Sequence, residues 1–264
     1  MNKVVVITGG TSGIGLETAK ALAAKGCTVY ELSRRDKGAA PGVRHVSADV
    51  TDEQQVNAAV AQIVKEAGRI DVLINNAGFG ISGAIEFTDT AEAQRQFDVN
   101  FFGMVRMNHA VLPVMRAQGG GRIISMSSVA APIAIPFQAY YSASKAAVRT
   151  YMLALASEVA PFGIETCAIM PGDIATGFTA ARRKNPAGDD VYGGRISRSV
   201  AVMEHDEQTG ITAADAGAFV AKKALQKRVP VLCTLGGKYK VFVFLTRLLP
   251  TRLMTWLVGL IYAK

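Results

Sequence analysis

The sequence predicts an α/β fold: a single doubly wound domain, residues 1–264, built on a mostly parallel sheet of seven strands and followed by an apolar C-terminal helical extension. Three observations predict it. Short β-branched runs alternate with helical periodicity over the first 234 residues. The first run, VVVIT at Val4 to Thr8, has no polar alternation, as a strand covered on both faces requires, and it breaks directly into a glycine cluster that opens a helix. The length of 264 residues, with 50% hydrophobic and 19% charged, supplies one large core and excludes general disorder.

The elements follow in order. Gly15 to Lys25 reads as a helix with Leu16, Ala19, Leu22 and Ala23 on one side, and Gly26 ends it. Cys27 to Leu32 and Val43 to Ala48 read as strands, and Asp52 caps a helix running to Glu66 with Gly68 at its exit. Asp71 to Ile74 is a strand, and a long helical pattern covers Thr90 to Met115. Arg122 to Met126 is a strand, Ala139 to Val159 a helix, and Ile164 to Met170 a strand. Residues 175–211 form a more polar excursion, turn-rich at Arg182 to Val191 and weakly helical from Gly193 to Glu207. Ala213 to Leu225 is a helix and Val229 to Thr234 the last strand. No repeat or linker marks a second domain.

Charge is distributed unevenly. Up to residue 221 there are twenty basic and twenty-one acidic residues, so the formal +8 belongs to the last 43 residues, which hold nine basic residues and no acidic one. Within them the segment 240–264 is strongly apolar, interrupted by Arg247, Pro250 and Arg252, with a narrow polar stripe of Arg252, Thr255 and Gly259: amphipathic, but too short to span a bilayer. Such a face needs cover. A second copy of the chain is the first expectation, the chain's own substrate side and an anionic membrane surface the others. The basic residues form no nucleic-acid reading motif. Cys27, Cys167 and Cys233 are too far apart in sequence for a disulfide framework or thiolate metal site, and His45, His109 and His205 lack ligand spacing, so no metal is expected. With no secretory signal pattern at the start, a cytoplasmic setting is expected, with peripheral membrane contact through the tail as its variant.

TGGTSGIG at 8–15 joins strand to helix, where glycines let the backbone approach a phosphate and the helix start presents free N–H groups. Tyr141 and Lys145 are four apart and reach one helix face, where an ammonium lowers the pKa of a neighbouring phenol; Tyr140 offers a competing hydroxyl.

With TGGTSGIG, Asp49-Val50, NNAG (75–78), Asn100, Ser128, YSASK (141–145) and PGDIAT (171–176) in that order and spacing, the chain resembles the short-chain dehydrogenase/reductase family over nearly all of Lys3 to Thr234. The resemblance implies a Rossmann domain and a nicotinamide dinucleotide held by Gly9, Ser12, Gly13, Ile14 and Gly15 at the pyrophosphate and adjoining ribose. It implies Asp49 and Val50 at the adenine, Asn76, Ala77 and Gly78 alongside, Asn75 bracing strands, and Pro171, Gly172, Ile174 and Thr176 near the nicotinamide. Ser33 stands where NAD-preferring relatives carry aspartate. With Arg34 and Arg35 following, NADP(H) is expected over NAD, since a guanidinium suits a 2′-phosphate; Glu31 lies too deep to take the ribose. By the same resemblance Tyr141 exchanges the proton, Ser128 bonds to the substrate oxygen, Lys145 tunes Tyr141 and holds the nicotinamide ribose, and Asn100 serves a proton relay through a distorted helix.

The expected reaction interconverts a secondary alcohol and a ketone. AAPIAIPF at 130–137, the region of Phe178 and the excursion up to Ile211 are apolar, so a lipophilic substrate is expected, in the branches acting on hydroxysteroids, bile acids or retinoids, and with it a role in lipid or steroid metabolism. Reduction of a 3-oxoacyl thioester is the alternative; a non-catalytic dinucleotide-binding regulator is weaker, because a dead enzyme needs no complete Ser128, Tyr141 and Lys145. A homodimer or homotetramer is the expected assembly.

Overall fold

A computed structural model describes residues 2–34 and 39–263. Seven strands form one sheet: β1 (Val4–Thr8), β2 (Thr28–Ser33), β3 (Val43–Ser47), β4 (Val72–Asn75), β5 (Gly121–Met126), β6 (Ile164–Pro171) and β7 (Leu232–Leu235). Their spatial order is β7-β6-β5-β4-β1-β2-β3, and every neighbouring pair is parallel. Alternation along β1 divides the core. Val4 and Val6 face the layer of α2 (Glu53–Ala67), α4 (Gly103–Ala117) and α5 (Ala139–Val159), while Val5 and Ile7 face α1 (Gly13–Ala23) and α7 (Ala213–Leu225). The chain reverses direction across the sheet between β1 and β4, and the crevice there opens at the C-terminal ends of the strands.

Local signals hold where they are strongest. Asp52 accepts from the N–H groups of Gln54 and Gln55, and Gly68, at φ 74°, closes α2. The continuous helix expected over Thr90 to Met115 is instead broken. Helix α3 (Thr90–Phe97) passes into a π-helical turn over Asp98–Phe102 before α4 begins, and the extra residue turns Asn100 inward, where it is 3% exposed. The last strand starts at Leu232, not Val229, because Val229 N–H turns to Glu165 Oε1 at 3.4 Å.

The excursion is ordered by two small parallel pairings, Ile174–Ala175 with Ile211–Thr212 and Ile81–Ser82 with Arg183–Lys184, and by α6 (Arg195–Gln208). The tail forms two helices, α8 (Gly237–Leu248) and α9 (Thr251–Tyr262), broken at Pro250. Tyr239 and Val243 of α8 and Met254 and Val258 of α9, each pair four apart, are the buried stripes. No helix among the described residues is long and apolar enough to cross a membrane.

Candidate active site

The glycine turn is built so that only glycine fits. Gly9 and Gly13 have φ of +67° and +52°, and a Cβ on Gly15 would stand 2.2 Å from the Gly9 carbonyl oxygen. Beneath the turn, Thr8 Oγ1 accepts from the N–H groups of Asn76 and Ala77, each at 3.0 Å, while Asn76 Nδ2 donates to the Thr8 and Gly9 carbonyls at 3.1 Å. Asn75 is buried and donates to Asn108 and Ser125, so it braces β4 against α4 and β5. Ser12 precedes α1 without capping it through its side chain, which leaves the first-turn N–H groups free of that partner, and Thr176 packs over Gly13. Partly buried Ile14 seats the start of α1 against two core clusters. A narrow, positively polarised cradle with open N–H groups fits a dinucleotide pyrophosphate.

Ser128, Tyr141, Lys145 and Asn100 converge beside it. Ser128 follows β5 and its Oγ accepts from Ala130 N–H at 3.1 Å. Tyr141 and Lys145 lie one turn apart on α5, with Lys145 Nζ 5.7 Å from the Tyr141 ring centre and donating to the Met126 carbonyl at 2.8 Å. Contrary to the lowering expected from the neighbouring ammonium, burial pushes the Tyr141 phenol up to about 12 against the opposing hydrogen bond with Ser128, and it pushes the Lys145 ammonium down to about 8. Asn100 holds the Phe79 backbone at both ends, Oδ1 accepting from its N–H and Nδ2 donating to its carbonyl, both at 3.0 Å, and also donates to Ser144 Oγ. Gly78 runs between them: a Cβ there would stand 3.0 Å from Asn100 Oδ1 and 3.5 Å from Lys145 Nζ. Tyr140 points elsewhere, its hydroxyl reaching the Ile85 carbonyl at 3.4 Å and its ring lining an outer groove with Phe97 and Phe102. Ser125 and Ser127 bond to Met152 Sδ and the Lys145 carbonyl.

Other residues singled out from sequence lie at the rim. Asp49 Oδ1 accepts from the N–H and hydroxyl of Thr51, the ordinary work of a turn aspartate, and Val50 is buried against Gly103. At the end of β2, Arg34 is exposed, and Arg35 lies outside the described residues. Ser33, half-buried at the end of β2, donates to Glu31 Oε1 at 3.3 Å. Glu31 is fully buried and paired with His45, so it is kept from a ribose, as its depth in the strand predicts. Pro171 accepts from Val129 N–H at 3.0 Å, Ile174 is buried, and Gly172 lies under the Tyr239 ring, whose atoms stand 2.0 Å from where a Cβ would be.

Phe178 and Phe137, in the apolar segments expected to line the substrate side, are joined there by polar partners that carried no sequence signal. The Phe178 ring leans on Tyr141 with ring centres 5.7 Å apart, and the Arg182 guanidinium sits over Phe178 at 5.8 Å. Arg182 pairs with Glu207, which also accepts from Thr179 Oγ1, and Tyr239 donates to Asp173. Phe137, at φ 59°, packs with Ala84, Ile196, Tyr192 and the tail residue Ala263, so the chain terminus borders the loop that precedes Tyr141.

Comparison with known proteins agrees with this geometry. The profile described as "short chain dehydrogenase" matches residues 3–187. The 3-ketodihydrosphingosine reductase of Bacteroides thetaiotaomicron is 40% identical over 99% of this chain and 98% of its own. A short-chain dehydrogenase from Streptomyces avermitilis superposes with a TM-score of 0.82 at 32% identity, over 92% of this chain and 91% of that one. The 3-ketoacyl-(acyl-carrier-protein) reductase of Brucella melitensis, complexed with NADH, does so at 0.75 and 25% identity, over 88% and 96%, and two other similar solved structures hold NADP. A parallel sheet with its switch point at a glycine cradle, a Ser128, Tyr141 and Lys145 cluster beside it and these matches lead to one conclusion: the chain belongs to the short-chain dehydrogenase family of dinucleotide-dependent oxidoreductases.

Proposed function

We propose that this protein is an NADP(H)-dependent reductase of a lipophilic ketone, with the corresponding secondary alcohol as product, and that the ketone sits on a long aliphatic chain. The observation that carries the reaction type is the partly buried Tyr141 phenol, held between Ser128, Lys145 and Phe178 beside the glycine cradle. The chain length of the substrate rests on the 3-ketodihydrosphingosine reductase, whose likeness extends through the tail. The apolar segments at 130–137 and around Phe178 keep ketosteroids and bile-acid ketones in the test, and the likeness to the 3-ketoacyl reductase keeps a 3-oxoacyl thioester as the alternative.

When bound, the nicotinamide supplies the hydride chemistry. The chain does the rest. Ser128 Oγ orients the substrate oxygen and stabilises the charge that develops on it. Tyr141 Oη, a phenol throughout the neutral range because burial holds it near 12, gives its proton to that oxygen. Lys145, buried and anchored to the Met126 carbonyl, supplies the positive charge that favours the transient phenolate. Asn100, fastened to Phe79 and Ser144, fixes the π-helical turn behind Lys145 and leads the relay that restores the proton. Phe178 and the residues 130–137 exclude water.

The cofactor preference rests on Arg34, exposed at the end of β2 with no aspartate at Ser33 and with Glu31 buried against His45.

The test is turnover of a ketone panel, comprising a long-chain 3-keto amino alcohol, a ketosteroid, a bile-acid ketone and a 3-oxoacyl thioester, with NADPH and with NADH. The amino alcohol with NADPH should give the highest kcat/KM. Tyr141→Phe should lower kcat by about 100-fold or more with dinucleotide affinity unchanged, and Arg34→Ala should erode the NADPH preference. Turnover by Tyr141→Phe equal to wild type, or a preference untouched by Arg34→Ala, contradicts the corresponding assignment.

A further inference from the structure

The two tail helices are covered on one side only. Below the buried stripes, Tyr239 seats α8 on Gly172 and Asp173, and Arg195 Nε holds the Ala263 carbonyl at 2.7 Å. The other side is apolar and open. Val241, Phe244 and Leu248 follow one another at three and four residues on α8, and Leu253, Trp256 and Leu260 do the same on α9, so each helix carries a second apolar stripe. Val241, Phe244, Leu248 and Trp256 are each more than half exposed, and eight of the fifteen large hydrophobic residues exposed among the described residues lie between 241 and 261. Lys238, Lys240, Arg247 and Arg252 are exposed among them, and no acidic residue follows Asp215.

We propose that the α8–α9 face docks on the surface of an anionic lipid bilayer. Two requirements are met together, apolar side chains that enter the acyl boundary and cations that meet acidic headgroups. Each helix has 12 residues, about 18 Å, well short of a hydrocarbon core of about 30 Å, so the contact is in the plane of the interface. A second copy, the first expectation from sequence, is disfavoured by the same charges: a two-fold contact presents the same patch on both sides, which sets basic side chains against basic side chains with no carboxylate on either helix to offset them. Ala263 packs into the cluster of Phe137, Ala84 and Ile196, so the docked face adjoins the loop leading to Tyr141. A lipophilic ketone could then pass from bilayer to site without crossing water; this consequence rests on the proposed function, the docking does not.

The chain contains one tryptophan, Trp256, and it is 58% exposed on the proposed face, so the native protein reports on its own docking. Fluorescence and co-sedimentation are measured with vesicles of phosphatidylcholine alone and of phosphatidylcholine with phosphatidylglycerol. The expected result is a blue shift and sedimentation with the anionic vesicles only, both falling as salt is raised. The double variant R247Q/R252Q should partition roughly 30-fold more weakly, about fivefold for each cation removed, and Phe244→Glu should not sediment. Both side chains of the double variant are exposed, and an unchanged thermal unfolding curve verifies folding. No shift with anionic vesicles, or equal partition into neutral ones, overturns the proposal. So does a blue shift that grows with protein concentration in the absence of lipid, which identifies a second copy as the occupant.

Discussion

Tyr141 and Lys145 are driven in opposite directions by one cause. Burial disfavours charge, so the phenol rises to about 12 and the ammonium falls to about 8. The consequence for stability has a definite sign. In the unfolded chain Lys145 titrates near 10.5, so between about pH 8 and 10.5 the unfolded state holds a proton that the folded state has released, and the Lys145 contribution to stability increases with pH across that window. Below pH 8 the buried ammonium is a cost. Denaturant midpoints of the cofactor-free protein from pH 7 to 10 should therefore move in favour of wild type relative to Lys145→Met as pH rises. A difference that does not change with pH would contradict the assigned burial of the charge.

The turn between β1 and α1 shows how an element depends on a single missing atom. Gly15 lies so close to the Gly9 carbonyl and to Asn76 Nδ2, 2.2 and 2.5 Å from an added Cβ, that alanine must displace backbone. Gly15→Ala should cost about 1–3 kcal/mol of stability and, on the proposed dinucleotide site, weaken dinucleotide binding by calorimetry, because the displaced N–H groups belong to the helix start proposed to meet the phosphates. Gly237→Ala, with nothing within 4 Å, serves as the neutral comparison. The π-helical turn at Asp98–Phe102 is the second case: its periodicity resembles that of an ordinary helix, so the pattern alone reads straight through it, while the family resemblance placed a distortion at Asn100 and the Asn100 bonds to Phe79 lie there.

Across the whole molecule Arg122 ties the middle of the sheet to the end of α7, about a hundred residues further along the chain. From β5 its guanidinium pairs with Glu165 on β6, and its Nη1 donates to the carbonyls of Lys223, Ala224 and Gln226, which α7 would otherwise leave open at its C-terminus. Arg122 is 5% exposed. Arg122→Met should lower the urea-unfolding free energy by about 3 kcal/mol, the low end for a broken buried pair because the Glu165 side chain keeps 38% of its exposure. A loss below about 1 kcal/mol would show those carbonyls finding water instead.

The sequence by itself determined the seven-stranded order of events, the glycine turn, the α2 caps and the charge of the tail. Each of these is local: strand and helix periods, a φ that only glycine adopts, and a count of side chains are written within a few residues of one another. It also placed Tyr141 and Lys145 on one face, since four residues make about one turn. Choosing Tyr141 over Tyr140 from residues alone was beyond it, and the structure separates them by sending Tyr140 to the Ile85 carbonyl. Tertiary structure decided everything that joins distant segments: Arg182 and Glu207 behind Phe178, Tyr239 over Gly172, His45 against Glu31, and Arg122 on the end of α7. These pairs are separated by up to about a hundred residues and leave no spacing or composition to read, because their geometry exists only once the sheet has brought its strands into register.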